Sequence, residues 1–478
     1  TASRPPASRS VTIPPNADGS YVYPPGTPGF QQASSFMATD KTLAIFEDYL
    51  GHTQNWAFDG PLHIHPHLQD GFNAFYLRLD KSVNFFDGYD PVKKAVIHGS
   101  ESLDVVSHEV GHAVLDGMKP GLVGWFGSME AKSFHEAFGD VAAMLTALHE
   151  NSVLDRLVEQ TGGDLKRPNL AAGMAEEFSQ GINHAMLNSI KPDDWSLRNA
   201  NNTHIYVDPE TLPKKPKDID DLFQEPHSFS TVFSGAAWDI MAGITSANMA
   251  KGMAPREAIV SARDTFGQIF THGVELGPDR MKKYSEMANG LVSAEKRYFG
   301  GQYAKIISDA FTARHIDHQM TGLASQTLPA VTLPRGGAAT LAEADAFLTS
   351  ARKPLGLPEE TPMKAERTWT NTKGETFVRY GWTEEMPIDA HTYTELGGCL
   401  TLGFDADGKL FHRMFEPIDD EQRALARTEI DNMTGRLAVR GTAPSVTADL
   451  RRPDGLPYEA WLERDGTRQK LVKVPMAS

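Results

Sequence analysis

Two histidines four residues apart, His108 and His112, flank Glu109 in the stretch LDVVSHEVGHAVLDGM, Leu103 to Met118. On a helix, residues at this spacing share a face, and Glu109 sits about 100° round from His108. Two imidazoles so placed hold one Zn²⁺, with a carboxylate beside the open coordination position. The surrounding residues are apolar, so these polar side chains are set into a segment built for burial. The same five-residue pattern also arises by chance in long chains, and a chance match implies nothing elsewhere in the sequence.

A catalytic zinc needs a third protein ligand. The stretch SFHEAFGDVAAMLTAL offers Glu136 and Asp140 at i,i+4 on a second helix, above an apolar stripe of Phe134, Ala137, Phe138, Val141 and Leu145. Glu136 is the candidate metal ligand. Asp140 is the candidate acceptor of an N–H from a ligating histidine, which would fix that ring's tautomer. The competing reading is an ordinary amphipathic helix with solvated acids.

HExxH followed by ExxxD on the next helix resembles the gluzincin metalloproteases, the thermolysin family and its fungalysin-like relatives. Further pieces resemble that family in its order, over about 37–317. The stretch NAFY resembles the edge strand that pairs with the substrate backbone, which implies roles for Asn73 and Ala74. SLRNAN resembles the segment whose arginine binds a substrate carbonyl, implying Arg198. PHSFSTVFSGAAWDI resembles the segment whose histidine stabilises the transition state, implying His227. GGQYAKIISDAFTARHI resembles the closing helix. Val105 and Leu197 fall where the family lines the pocket for the residue after the cut. Asp104, with Glu176 and Glu177 in AEEF, falls where the family binds calcium.

The resemblance implies an α+β fold with a thermolysin-like, two-lobed catalytic domain: a β-rich N-terminal lobe with the zinc helices, and a helical C-terminal lobe. It implies a zinc endopeptidase with one catalytic Zn²⁺ and calcium as a second candidate ion. A peptide or protein is the substrate, and a hydrophobic residue is preferred after the cut. Glu109 would be the general base and His227 an oxyanion donor. Three departures stand out. The loop between His112 and Glu136 is longer than in thermolysin. That loop, GLVGWFGSME, lacks the family's oxyanion tyrosine, with Gly124 and Trp125 in its region. His135 stands where thermolysin has asparagine, placed as a donor or acceptor beside the ligands. The alternatives are an aminopeptidase of the wider gluzincin group, whose G-x-M-E-N motif does not precede His108, and a non-catalytic zinc-stabilised binding protein, which has no need of Glu109.

The elements that must position these residues follow from periodicity. Residues 1–36, rich in Pro, Ser and Gly, read as an extended arm, and a short helix follows at 39–50. LHIHPHL and NAFYLRLDKSVNFFDGYD read as strands. Helices are predicted over 103–117, 129–149, 229–248, 255–271, 280–297 and 301–315, with 180–226 mostly loop. Residues 318–340 read as a linker. A helix near 341–352 opens a β-rich domain, 341–478, with two DG hairpin turns.

Composition bounds the function. A net charge of −16 argues against non-specific binding to nucleic acid or an anionic membrane. The lone Cys399 excludes an intrachain disulfide and a multi-cysteine metal site. No apolar run approaches the roughly 18 residues of a membrane span. Thr1 in place of an initiator Met fits a processed, secreted enzyme, with a cytoplasmic one as the alternative.

Overall fold

The computed structural model describes residues 14–124, 126–187, 196–218, 221–325, 328–334, 340–435, 439–441, 460–474 and 476–477. The fold is α+β. Helix α1, Pro28–Leu50, begins within the expected arm: Thr27 caps it by accepting from the Phe30 amide, and Pro28 occupies the first turn, where a missing N–H costs nothing. The proline and glycine of TPGF, read as loop signals, are the start of a helix.

Strands β1 (His63–Asp70), β2 (Ala74–Leu77), β3 (Ser82–Asp90) and β4 (Ala95–His98) follow. β2 and β4 run antiparallel to β3, and β1 runs parallel to it. The β1 register breaks between His65 and Gln69, around Pro66, which has no N–H to give the ladder.

Helix α2, Leu103–Met118, is the central element and is buried from Val105 to Met118. Helix α3, Met129–Ala147, crosses it. Ser128 caps α3 by accepting from the Ala131 amide. One core joins Tyr76, Val83 and Phe85 of the sheet to α2, α3 and the helices α4 (Pro226–Ala250), α5 (Pro255–Leu276), α6 (Tyr284–Phe299) and α7 (Ala304–Ala313). Helices at Asn151–Thr161 and Glu176–Met186, the latter reaching into the expected loop, complete this part.

The C-terminal segment builds a second sheet from β5 (Lys364–Thr370), β6 (Thr376–Pro387), β7 (Thr392–Phe404), β8 (Leu410–Glu416), β9 (Ala460–Asp465) and β10 (Arg468–Lys473), with Val439–Arg440 at its edge. Both DG turns lie in hairpins, β7–β8 and β9–β10. A helix within the expected β-rich domain, Asp420–Gly435, packs Ala426, Ile430 and Met433 on this sheet. The expected linker contributes buried Val331 and Leu333 to a second core on this sheet, with Leu400, Leu402 and Phe404.

This sheet is tied to the helical part. The backbone amides of Asp279 and Arg280 donate to Glu416 at 2.9 and 2.8 Å, and Arg379 pairs with Asp279 at 2.6 Å. A final short strand, β11 (Met476–Ala477), leaves the second sheet and joins the first, antiparallel to β2. No helix among the described residues is long and apolar enough to cross a membrane.

Candidate metal centre

α2 and α3 approach most closely at two glycines. A Cβ on Gly111 would lie 2.7 Å from the Ala142 Cβ, and one on Gly139 would lie 2.6–2.9 Å from atoms of the His108 ring. Without side chains there, the helices close until Nε2 of His108 is 3.2 Å from Oε2 of Glu136, and Nε2 of His112 is 3.7 Å from Oε1 of the same carboxylate. The Nδ1 atoms face the other way. That of His108 is 3.2 Å from Oδ1 of Asp140, and that of His112 is 2.7 Å from Nδ1 of His135. All five side chains are buried.

His108, Glu109 and His112 each present a ligand atom within 4.8 Å of the other two. Glu136, not Glu109, is the better third donor, because its two oxygens face the two Nε2 atoms. Three buried atoms here have no hydrogen-bond partner: Nε2 of His112, Nε2 of His135 and Oε2 of Glu109. Buried polar atoms are nearly always satisfied, so an orphaned imidazole nitrogen aimed at a carboxylate fits a cation. Two imidazoles and one carboxylate, with no thiolate, form a three-donor set suited to Zn²⁺ with an open position.

The electrostatics agree. Burial pushes the His108 imidazolium down, but the bonds to Asp140 and Glu136 outweigh it and raise His108 to about 9. Burial lifts Glu109 to about 8 and, with the charges of His108 and His135, drives His112 well below the usual imidazole value. Glu136 stays below the usual carboxyl range despite burial, because His227 and His108 stabilise its charge. Protons on His108 and His227 thus supply the positive charge that the buried carboxylates demand. A dication would supply it instead.

His227 enters at the start of α4. Its Nε2 is 3.2 Å from Oε2 of Glu136, and its ring remains 37% exposed, so it borders the open side of the cluster. Glu225 holds Nδ1 at 2.6 Å and caps α4 by accepting from the Ser228 amide. The sequence reading missed Glu225, although an acid directly before a proline at a helix start is a capping signal.

Arg198, expected on a substrate carbonyl, lies beside the cluster but turns to Asp140, donating from Nε at 2.9 and 3.2 Å. It therefore secures the carboxylate that secures His108. Tyr76 does not replace the missing tyrosine, because its hydroxyl donates to Asp116 at 2.6 Å in the core. Trp125 lies outside the described residues.

The remaining expected residues are placed as follows. Asn73 is exposed and Ala74 buried at the start of β2. Val105 is in the main core and Leu197 packs against it. Among the described residues Asp104 belongs to no cluster of carboxylates. It accepts from the Ser102 hydroxyl and, at 2.5 Å, from the Ala175 amide, so it ties a loop to α2. Glu176 is exposed, and the Glu177 side chain lies outside the described residues. Among the described residues no His, Cys, Asp or Glu group gathers closely enough for a metal away from the one around His108 and His112.

Compared with protein-family profiles and with curated proteins, the chain matches none.

Proposed function

We propose that this chain is a zinc-dependent endopeptidase of thermolysin-like type, with His108, His112 and Glu136 as the metal-holding residues. The observation that carries the reading is the opposed orientation of the two α2 imidazoles. Each turns Nε2 to Glu136 and gives Nδ1 a separate partner, Asp140 or His135. A site that merely buried two histidines would have no reason to sort their nitrogens this way, or to leave Glu109 beside them unpartnered.

Zn²⁺, when bound, supplies Lewis acidity toward water and the scissile carbonyl. The chain supplies the rest. Glu109, raised to about 8 in the metal-free cluster by burial, takes the proton of the attacking water and passes it to the leaving amine. His227, anchored by Glu225, donates from Nε2 to the oxygen that gains charge. With no tyrosine evident in that role, His227 bears more of it. Arg198 fixes Asp140, and Asp140 fixes His108. The outward N–H and C=O of Ala74, with the Asn73 side chain beside them, hold the peptide as an added strand, and Val105 with Leu197 favours an apolar side chain after the cut.

A peptide-library digest tests the reading. Internal cleavage on the amino side of hydrophobic residues, in peptides with blocked amino termini, is the expected pattern. Removal of single residues from free amino termini only would replace the endopeptidase reading with an aminopeptidase one.

A further inference from the structure

β2 is a strand with two claimants for one edge. The Phe86 amide donates to the Asn73 carbonyl at 3.1 Å, across the non-bonded pair Ala74 and Phe85. Backbone groups alternate sides along a strand. Asn73, Phe75 and Leu77 therefore bond toward β3, while Ala74 and Tyr76 turn their N–H and C=O outward. Opposite Tyr76 on that outer side lies Ala477, with Met476 opposite Leu77. β11 thus takes the outward groups of Tyr76, the next outward pair after those of Ala74.

The second sheet delivers β11 there. Trp461 of β9 and Val474, just after β10, bury against Phe75, Leu77 and Phe86, with Val472 packed alongside. This explains why all four residues of β2 are buried. Tyr76 faces α2, where its hydroxyl meets Asp116, and Phe75 and Leu77 face the C-terminal hairpin.

We propose that β11 is a built-in strand that sets how long a peptide the edge of β2 accepts, an inference that rests on the peptide-edge reading above. A ligand paired at Ala74 and extending toward Leu77 must displace Met476 and Ala477, whereas one confined to Asn73 and Ala74 need not. A short strand tethered beside its site acts at an effective concentration in the millimolar range, so its removal should tighten long ligands by roughly 3- to 10-fold.

The test uses the full chain and two altered forms, one lacking residues 475–478 and one carrying Ala477→Pro, which removes the N–H that Ala477 gives to Tyr76. Both leave the Trp461 and Val474 contacts in place. The probes are a dye-labelled octapeptide with a reduced, uncleavable central bond and its dipeptide counterpart, read by fluorescence anisotropy. Amide hydrogen exchange is followed at Tyr76. Both altered forms are expected to bind the octapeptide roughly 3- to 10-fold more tightly and the dipeptide unchanged, with faster exchange at Tyr76. Equal octapeptide affinity in all three forms would overturn the proposal. The binding readout does not depend on turnover, so tighter octapeptide binding by a chain that cuts no peptide sinks the peptidase reading alone.

Discussion

Nδ1 of His112 and Nδ1 of His135 are 2.7 Å apart, so a single proton lies between two rings. If His112 ligates through Nε2, its own proton must be on Nδ1, and His135 must accept it. The His135 proton is then on Nε2, which is buried without a partner. An unmet buried donor costs about 1–3 kcal/mol, an arrangement that makes sense only if orienting His112 is worth more. His135→Phe removes the acceptor and should weaken zinc by about 10–100-fold, as losses behind a ligand do. His135→Asn keeps an acceptor oxygen and should retain most of the affinity. Competition against a chromogenic chelator reads both, and equal affinity in His135→Phe would remove His135 from the metal site.

Gly139→Ala places a methyl 2.6–2.9 Å from the His108 ring. The ring is pinned between Asp140 and Glu136, so it cannot yield without losing one of them. The expected result is loss of bound zinc in a folded protein, seen as unchanged far-ultraviolet circular dichroism with sub-stoichiometric metal. Full metal content would show that α2 and α3 separate more easily than their packing implies.

Glu109→Gln should keep its zinc, because the proposed third ligand is Glu136, and lose about 10²–10⁴ in turnover, because an amide cannot take the proton. Metal analysis alongside kcat distinguishes the two roles open to Glu109. Loss of metal in this variant would make it a ligand.

His227→Ala should cost at least about 10²–10³ in kcat with zinc retained. Glu225→Ala should reproduce part of that loss, since it frees Nδ1 of the same ring. An effect of either substitution on KM alone would make His227 a substrate contact and nothing more.

Away from the centre, Glu275 holds the helical part to the second sheet. It accepts from His52 at 3.2 Å, His272 at 3.1 Å and Trp369 at 2.7 Å. Burial pushes this carboxyl up, but the bonds from His272 and then His52 hold it well below the usual range. A depressed folded pKa means that the unfolded chain binds the proton first. The stabilisation is therefore complete above the unfolded value of about 4.3 and is lost as pH falls toward the folded one. Glu275→Gln should destabilise the protein by about 3–5 kcal/mol at pH 7 and by less at pH 3, read by denaturant titration. A pH-independent difference would mean that the carboxylate charge contributes nothing.

The helices that carry the centre were legible because their apolar period is strong. The expected 103–117 and 129–149 became Leu103–Met118 and Met129–Ala147. His108, His112, Glu136 and Asp140 were legible as residue types at fixed spacings, and His227 only through the family resemblance of its segment; the fold brings all five together. Arg198 was expected near the centre and lies there, but its pairing with Asp140 was not legible, because sequence order says nothing of which acid a buried guanidinium will choose. The bond that Asp104 accepts from the Ala175 amide had no signal in the sequence, because a carboxylate's choice of backbone partner is set by the fold. Glu225 was missed because its task depends on a ring two residues later turning back to it. The pairing of β11 with β2 could not be read at all, because a strand of two residues has no pattern and its partner lies almost the whole chain away.

The central claim is that one zinc held by His108, His112 and Glu136 makes this chain a peptidase. The most direct measurement strips the protein with a chelator and follows casein hydrolysis as Zn²⁺ is returned. Activity should be absent in the stripped protein, rise in proportion to added metal and level off at one equivalent. Hydrolysis that survives stripping, or a protein that binds one equivalent and cuts nothing, would contradict it.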